Sequence, residues 1–107
     1  MADPLALRVL TAEGLALEDQ AVSVIAPGEL GYLGMLRNHA PLVTTLAPGL
    51  LTWRRSGGQT QRRRIGAGLL EVAHNQVTIL TDAVAEAPAA PDLTGIRYLR
   101  VSDTGKP

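Results

Sequence analysis

Short apolar runs closed by glycine, proline or asparagine govern the chain as far as position 81. Leu5, Leu7 and Val9 alternate with Ala6, Arg8 and Leu10. Val22 and Val24 alternate with Ser23 and Ile25, and Pro27-Gly28 ends that run. Leu42 to Leu46 is closed by Pro48-Gly49. Leu50 to Arg55 enters Ser56-Gly57-Gly58, where glycine supplies the positive φ of a tight turn, and Gln61 to Ile65 returns. Leu69 to Ala73 and Val77 to Thr81 flank His74-Asn75-Gln76, which reads as a second hairpin. The pattern predicts about seven or eight short strands at the spacing of a β-sandwich or small barrel, an all-β fold.

With 107 residues the chain is one domain's worth, enough for a single core. Hydrophobic residues are 46% and charged residues 19%, the balance of a globular rather than a disordered chain. Several runs are apolar on both faces of the expected strand. Leu69, Leu70 and Val72 have only Glu71 among them; Val77, Ile79 and Leu80 have only Thr78. The outer face of a small antiparallel sandwich is normally polar. Two readings stand: a partner covers the outer face, or these are the apolar atoms every surface leaves exposed.

Little in the chain points to catalysis. There is no Cys, which removes disulfides, thiolate metal sites and cysteine nucleophiles. His39 and His74 are the only histidines and share no motif, so a zinc site is not expected. Ser23, Ser56 and Ser102 lie in no Gly-x-Ser-x-Gly. Glu18 and Asp19 are adjacent, so on a strand they point to opposite faces. Gly66-Ala67-Gly68 lacks the third glycine and following helix of a dinucleotide loop. The expectation is a non-enzyme without a cofactor or metal. No apolar run reaches the ~18 residues of a membrane-spanning helix. The N-terminus carries Asp3 and no basic stretch, unlike a signal peptide, so a cytoplasmic or similarly reducing compartment is the default.

The formal net charge is zero, but it is unevenly spread. Residues 1–53 carry −3, residues 54–64 carry +5, and residues 65–107 carry −2. Arg54 and Arg55 lie on one arm of the first hairpin, with Arg62, Arg63 and Arg64 on the other. Alternation along a strand prevents all five from lining one side. Phosphate contact, an acidic protein partner and a charged tip that blunts an edge against aggregation are the three readings. A small β-barrel binding nucleic acid through the Arg54–Arg64 hairpin is one rival function. Aromatics at 3% with no Phe, and the absence of net charge, weigh against it. A stand-alone β-sandwich adaptor is another.

One series of segments goes beyond composition. Gly31-Tyr32-Leu33-Gly34-Met35-Leu36-Arg37-Asn38-His39-Ala40-Pro41-Leu42 is followed by Leu46-Ala47-Pro48-Gly49. Gly66-Ala67-Gly68-Leu69-Leu70-Glu71-Val72 and Asn75-Gln76-Val77-Thr78-Ile79-Leu80-Thr81-Asp82 come next. In order and spacing these resemble the N-terminal domain of the epsilon subunit family of F-type ATP synthases. Leu7 to Glu13 is similar to that family's first strand, and the resemblance covers roughly residues 5–87. It implies a flattened antiparallel β-sandwich of about ten short strands over residues 1–87. It also implies a non-catalytic rotor subunit at the foot of the central stalk. Its partners would be the gamma subunit and the polar loops of the c-ring, without nucleic acid. Contact with the bacterial inner membrane would be peripheral, on the cytoplasmic face, and only through the complex.

Carried over by position, the resemblance implies a c-ring-facing loop at Tyr32, Arg37, Asn38 and His39. It implies gamma-facing residues at Thr11, Gly66, Ala67 and Gly68, where small side chains permit close backbone approach. Tyr32 stands where the family often has Glu, and Arg37-Asn38 where it often has Pro-Gly. Most bacterial members continue into a two-helix hairpin that binds ATP or blocks rotation. Here residues 88–107 contain Pro88, Pro91 and Gly95 and are expected to form a short tail without that hairpin.

Overall fold

The computed structural model describes residues 4–87, and the expectation of a short tail at 88–107 lies outside them. Ten strands follow one another: β1 (Leu5–Thr11), β2 (Gly14–Ala21), β3 (Ser23–Gly28), β4 (Gly31–Leu36), β5 (Leu42–Leu46), β6 (Gly49–Arg54), β7 (Thr60–Ile65), β8 (Gly68–Ala73), β9 (Gln76–Thr81) and β10 (Val84–Glu86). They pair in the order β10-β7-β6-β3-β5-β8-β9-β1-β2, with β4 on the free side of β3. The pairing path is narrowest between β3 and β5, at Gly28↔Leu46. Just before it lies Pro27, which has no N–H to give the ladder and whose carbonyl accepts from Ala47 N at 2.8 Å. There the path turns from one layer, β10-β7-β6-β3-β4, into the other, β5-β8-β9-β1-β2. The shortest principal extent is 23 Å, the thickness of two sheets ~10 Å apart with their outward side chains.

Alternation accounts for the core. Leu5, Leu7 and Val9 of β1 are fully buried, as are Leu70 and Val72 of β8 and Val77 and Ile79 of β9. From the other layer Val24, Ala26, Met35, Leu51 and Trp53 join the same cluster. The expected all-β sandwich and its hairpins are present. Every pairing is antiparallel except β1 with β9, which runs parallel through Ala6↔Gln76 to Leu10↔Leu80. The second hairpin turn is tighter than expected: His74 and Asn75 alone form it, at φ of 51° and 60°, and Gln76 already belongs to β9. Two successive positive φ values are the two-residue hairpin turn whose twist matches the flanking strands, and Asn tolerates them well.

Strands β2, β4 and β10 carry no clear period-2 signal in the sequence. In β2 the reason is a bulge. Val9 pairs with Leu17 and Leu10 with Leu15, leaving Ala16 unmatched. Without that extra residue Leu15 and Leu17 would share a face; with it, Leu17 turns toward the core and Leu15 outward. In β4, Gly31 and Gly34 interrupt the pattern, and β10 spans three residues.

Candidate interaction surfaces

The residues expected to face gamma converge. Thr11, Ala67 and Gly68 line one open cleft of about 380 Å³, together with Leu10, Leu80 and Asp82. Gly66 sits beside it, and its smallness answers to this chain. A Cβ at Gly66 would fall on the Asp82 carboxylate, and one at Gly68 on the Leu80 carbonyl oxygen. The β7–β8 crossing is tied to the β9–β10 crossing: Gly66 N donates to Ala83 O at 3.0 Å, Asp82 N to Ala67 O at 3.2 Å, and Thr81 Oγ1 to Ala67 O at 3.0 Å. The close approach that the glycines permit is therefore internal, between two chain crossings. Thr11 Oγ1 is engaged in its own hairpin, donating to Glu13 Oε1 and accepting from Glu13 N.

The cleft opens onto an apolar row. Register places Thr45, Leu69, Leu80, Leu10 and Leu15 side by side across β5, β8, β9, β1 and β2. Directly opposed residues share a face, and this face points away from the core. Leu69, Leu80 and Leu15 are 46%, 51% and 50% exposed. Val43, in the adjacent row, is 66% exposed. The rest of that row is polar: Glu71, Thr78, Arg8 and Glu18, with Arg8 and Glu18 ion-paired at 3.5 Å.

The four residues expected in one c-ring-facing loop do not form one loop. Tyr32 lies at the start of β4, five residues or about 17 Å of strand from Arg37. Its hydroxyl accepts from Leu50 N at 3.0 Å, reaching across to β6. At the other end Asn38 adopts a φ of 65°, its N–H donates to Asn75 Oδ1 at 2.6 Å, and Asn75 Nδ2 donates back to Asn38 Oδ1 at 3.3 Å. This clasp fixes the β4–β5 turn against the β8–β9 turn. His39 N donates to Leu36 O at 3.2 Å, and its ring Nδ1 lies 2.6 Å from Ala40 O. Arg37 is exposed beside them.

The outward face of the other layer is different again. Pairing of Leu50 with Arg64, Thr52 with Arg62 and Arg54 with Thr60 puts Arg54, Arg62 and Arg64 on that face. Arg63 pairs with core Leu51 on the inward register and lies 5.7 Å from the Trp53 ring centroid, within reach of a cation–π attraction. Arg55 goes elsewhere, to Asp19. Asp19 Oδ2 accepts from Arg55 Nε and from Trp53 Nε1, both at 2.8 Å, joining β2 to β6 across the layers. Burial pushes the Asp19 carboxyl pKa up. The bonds from Trp53 and Arg55, with Gln20 N, outweigh that and hold it below the ordinary value. Nothing local in the sequence marks this cluster beyond a lone buried Trp that needs an acceptor.

Among the described residues, no group of three or more His, Cys, Asp or Glu is placed to hold a metal. Among the same residues no helix is long and apolar enough to cross a membrane. What the fold offers is faces: a flattened β-sandwich with one leucine-lined outer surface and one arginine-bearing one, the form of a protein-interaction module. The comparisons make the class specific. The family described as ATP synthase, Delta/Epsilon chain, beta-sandwich domain, matches residues 4–87, and the chain belongs to that family. It is 43% identical over 94 residues to the ATP synthase epsilon chain of Moorella thermoacetica, covering 88% of this chain and 69% of that one. It is 41% identical over 87 residues to the epsilon chain of Acidithiobacillus ferridurans, covering 81% and 61%. The chain thus spans roughly two thirds or less of these relatives' length. Among solved structures, the cryo-EM structure of the Euglena gracilis mitochondrial ATP synthase OSCP/F1/c-ring in rotational state 1 shares the fold. Its TM-score is 0.74 at 23% identity, over 79% of this chain and 54% of that one.

Proposed function

We propose that the chain is a rotor subunit of an F-type ATP synthase, a non-catalytic part of the central stalk. It couples c-ring rotation to the gamma subunit and the catalytic head. It would sit peripherally at the cytoplasmic face of the bacterial inner membrane, held there by the complex. The observation that carries this reading is the row of leucines on four strands, β8, β9, β1 and β2, continuous with the cleft at Thr11, Ala67 and Gly68. An apolar surface of this extent on a small domain calls for a cover, and family membership makes gamma the partner to test. The c-ring-facing role falls to β4 and the turn after it: Tyr32 near the start of the strand, Arg37, Asn38 and His39 in the β4–β5 turn. The ring would lie along an edge strand and the turn that ends it. Family membership also displaces the nucleic-acid barrel and the free adaptor as readings of the chain.

Two measurements test the proposal. Leu69→Asp with Leu80→Asp should abolish co-purification with gamma while the isolated chain still folds; retained gamma would remove the face assignment. Arg37→Glu in the assembled enzyme should lower ATP-driven ion pumping while ATP hydrolysis persists. An unchanged ratio of pumping to hydrolysis would remove the c-ring assignment.

A further inference from the structure

Arg54, Arg62 and Arg64 occupy the outward face of β6 and β7 with no described acid beside them. The two ion pairs of the described residues lie elsewhere: Arg8 with Glu18, and Arg55 with Asp19. Glu29 takes the Thr45 hydroxyl at 2.6 Å, Glu71 lies on the leucine-bearing layer, and Asp82 lies against Gly66. Glu86 pairs in register with Arg63, on the inward side. The same face carries exposed aliphatic side chains. Ile25 pairs with Thr52, the residue opposite Arg62, and Leu36 pairs with Ser23, the residue opposite Arg54. Arg62 Nε is buried and has no hydrogen-bond partner, so its guanidinium is not satisfied within the described residues and its outer nitrogens are the ones a carboxylate could meet.

We propose that this arginine–aliphatic face docks an acidic protein surface. The surface would present carboxylates about 7 Å apart, the spacing of Arg62 and Arg64 on one strand, and apolar side chains about 10 Å to the side, two strand spacings away, to cover Ile25 and Leu36. The mixture selects protein over polyanions. Arginine beside aliphatic and aromatic side chains is the composition of protein interfaces. A nucleic acid would set phosphates against Ile25 and Leu36, and the face offers a single exposed aromatic, Tyr32, whose hydroxyl is held by Leu50 N, rather than a row of rings for stacking successive bases. A formal net charge of zero gives no long-range attraction to a polyanion or an anionic bilayer. This proposal stands on the face itself and does not depend on the rotor reading.

The test is an amide-resolved NMR titration of the full chain with three probes: a synthetic helical peptide carrying Glu and Leu on the same face, a short DNA duplex, and phosphatidylglycerol vesicles. The peptide should produce saturable shifts at Ile25, Leu36, Thr52, Arg62 and Arg64 and leave Leu69 and Leu80 unmoved. A Gln–Leu peptide should not bind. Arg62→Gln with Arg64→Gln should weaken the peptide at least tenfold with the amide spectrum otherwise retained. Arg54→Gln alone should weaken it several-fold and serves if the double variant unfolds. No saturable shift, shifts confined to the leucine row, or tighter binding of duplex or vesicles would each overturn the proposal.

Discussion

The two outward faces of the sandwich are built from the same period-2 alternation and come out opposite. On the β5-β8-β9-β1-β2 layer, the outward register holds a row dominated by leucines beside a polar row in which Arg8 and Glu18 pair with each other. On the β10-β7-β6-β3-β4 layer, the outward register holds three arginines and scattered aliphatics. Both share one continuous core, so the difference lies outside it. Burial fixes the inward positions, and the outward positions are free to record what each side meets.

The strongest way to break this comparison is to strike what the two faces share. Gly68→Val drives a side chain into the Leu80 backbone, which cannot move without shifting β9. It should cost about 3 kcal/mol or prevent folding, read by chemical denaturation. Gly34→Ala meets open space on edge strand β4 and should change stability by less than about 1 kcal/mol. Equal effects would mean that the internal crossing is not what requires glycine. For the same reason a bulky residue at Gly66 would report on folding and not on a partner, whereas exposed Ala67 is a sound place for one.

Next comes the pin between the layers. Asp19→Ala leaves Trp53 Nε1–H without its acceptor in the core and should cost about 2 kcal/mol. Asp19→Asn keeps an oxygen for Trp53 and should cost less. Because the folded-state pKa of Asp19 is depressed, its contribution is complete above the ordinary value of 3.8 and is lost as pH falls through the lower folded value. Unfolding free energy measured from pH 5 downward should therefore fall more steeply in the parent than in Asp19→Asn. Parallel curves would show that the carboxylate charge contributes nothing.

The smallest effect sharpens the comparison most. Arg64→Gln removes an exposed charge that has no ion-pair partner among the described residues and should leave stability within about ±0.5 kcal/mol and gamma binding within twofold. Leu69→Asp with Leu80→Asp should cost gamma at least about 1.4 kcal/mol of affinity, a factor of ten, by calorimetry. If both variants weakened gamma alike, the faces would not be separate surfaces.

Much of this architecture was legible because alternation is local. Leu5-Leu7-Val9 and Val77-Ile79 declare their buried side without any knowledge of their neighbours. What stayed hidden depends on pairing. The Ala16 bulge makes sense only against β1, and the Asp19–Trp53–Arg55 cluster joins positions more than thirty apart in the chain. The spread of Tyr32 from Arg37–His39 is hidden too, because Gly31 and Gly34 interrupt the alternation of β4 and the single loop is implied by resemblance alone. Family resemblance supplied the order of segments; only the register could say that Thr11, Ala67 and Gly68 meet while Tyr32 does not join His39.

The parallel pairing of β1 with β9 has a consequence for biogenesis. Ala6 finds Gln76 only after about 70 intervening residues exist, so the domain's first strand waits for nearly the whole domain before its inner flank is satisfied. Until then β1 has β2 alone, a two-stranded ribbon that is marginal in water. Closure of this long loop sets the pace of folding and places the domain among the slower, high-contact-order β proteins. During that interval the apolar flank of β1 is open to other chains, and a co-translational chaperone or prompt capture by an assembly partner would shorten the exposure.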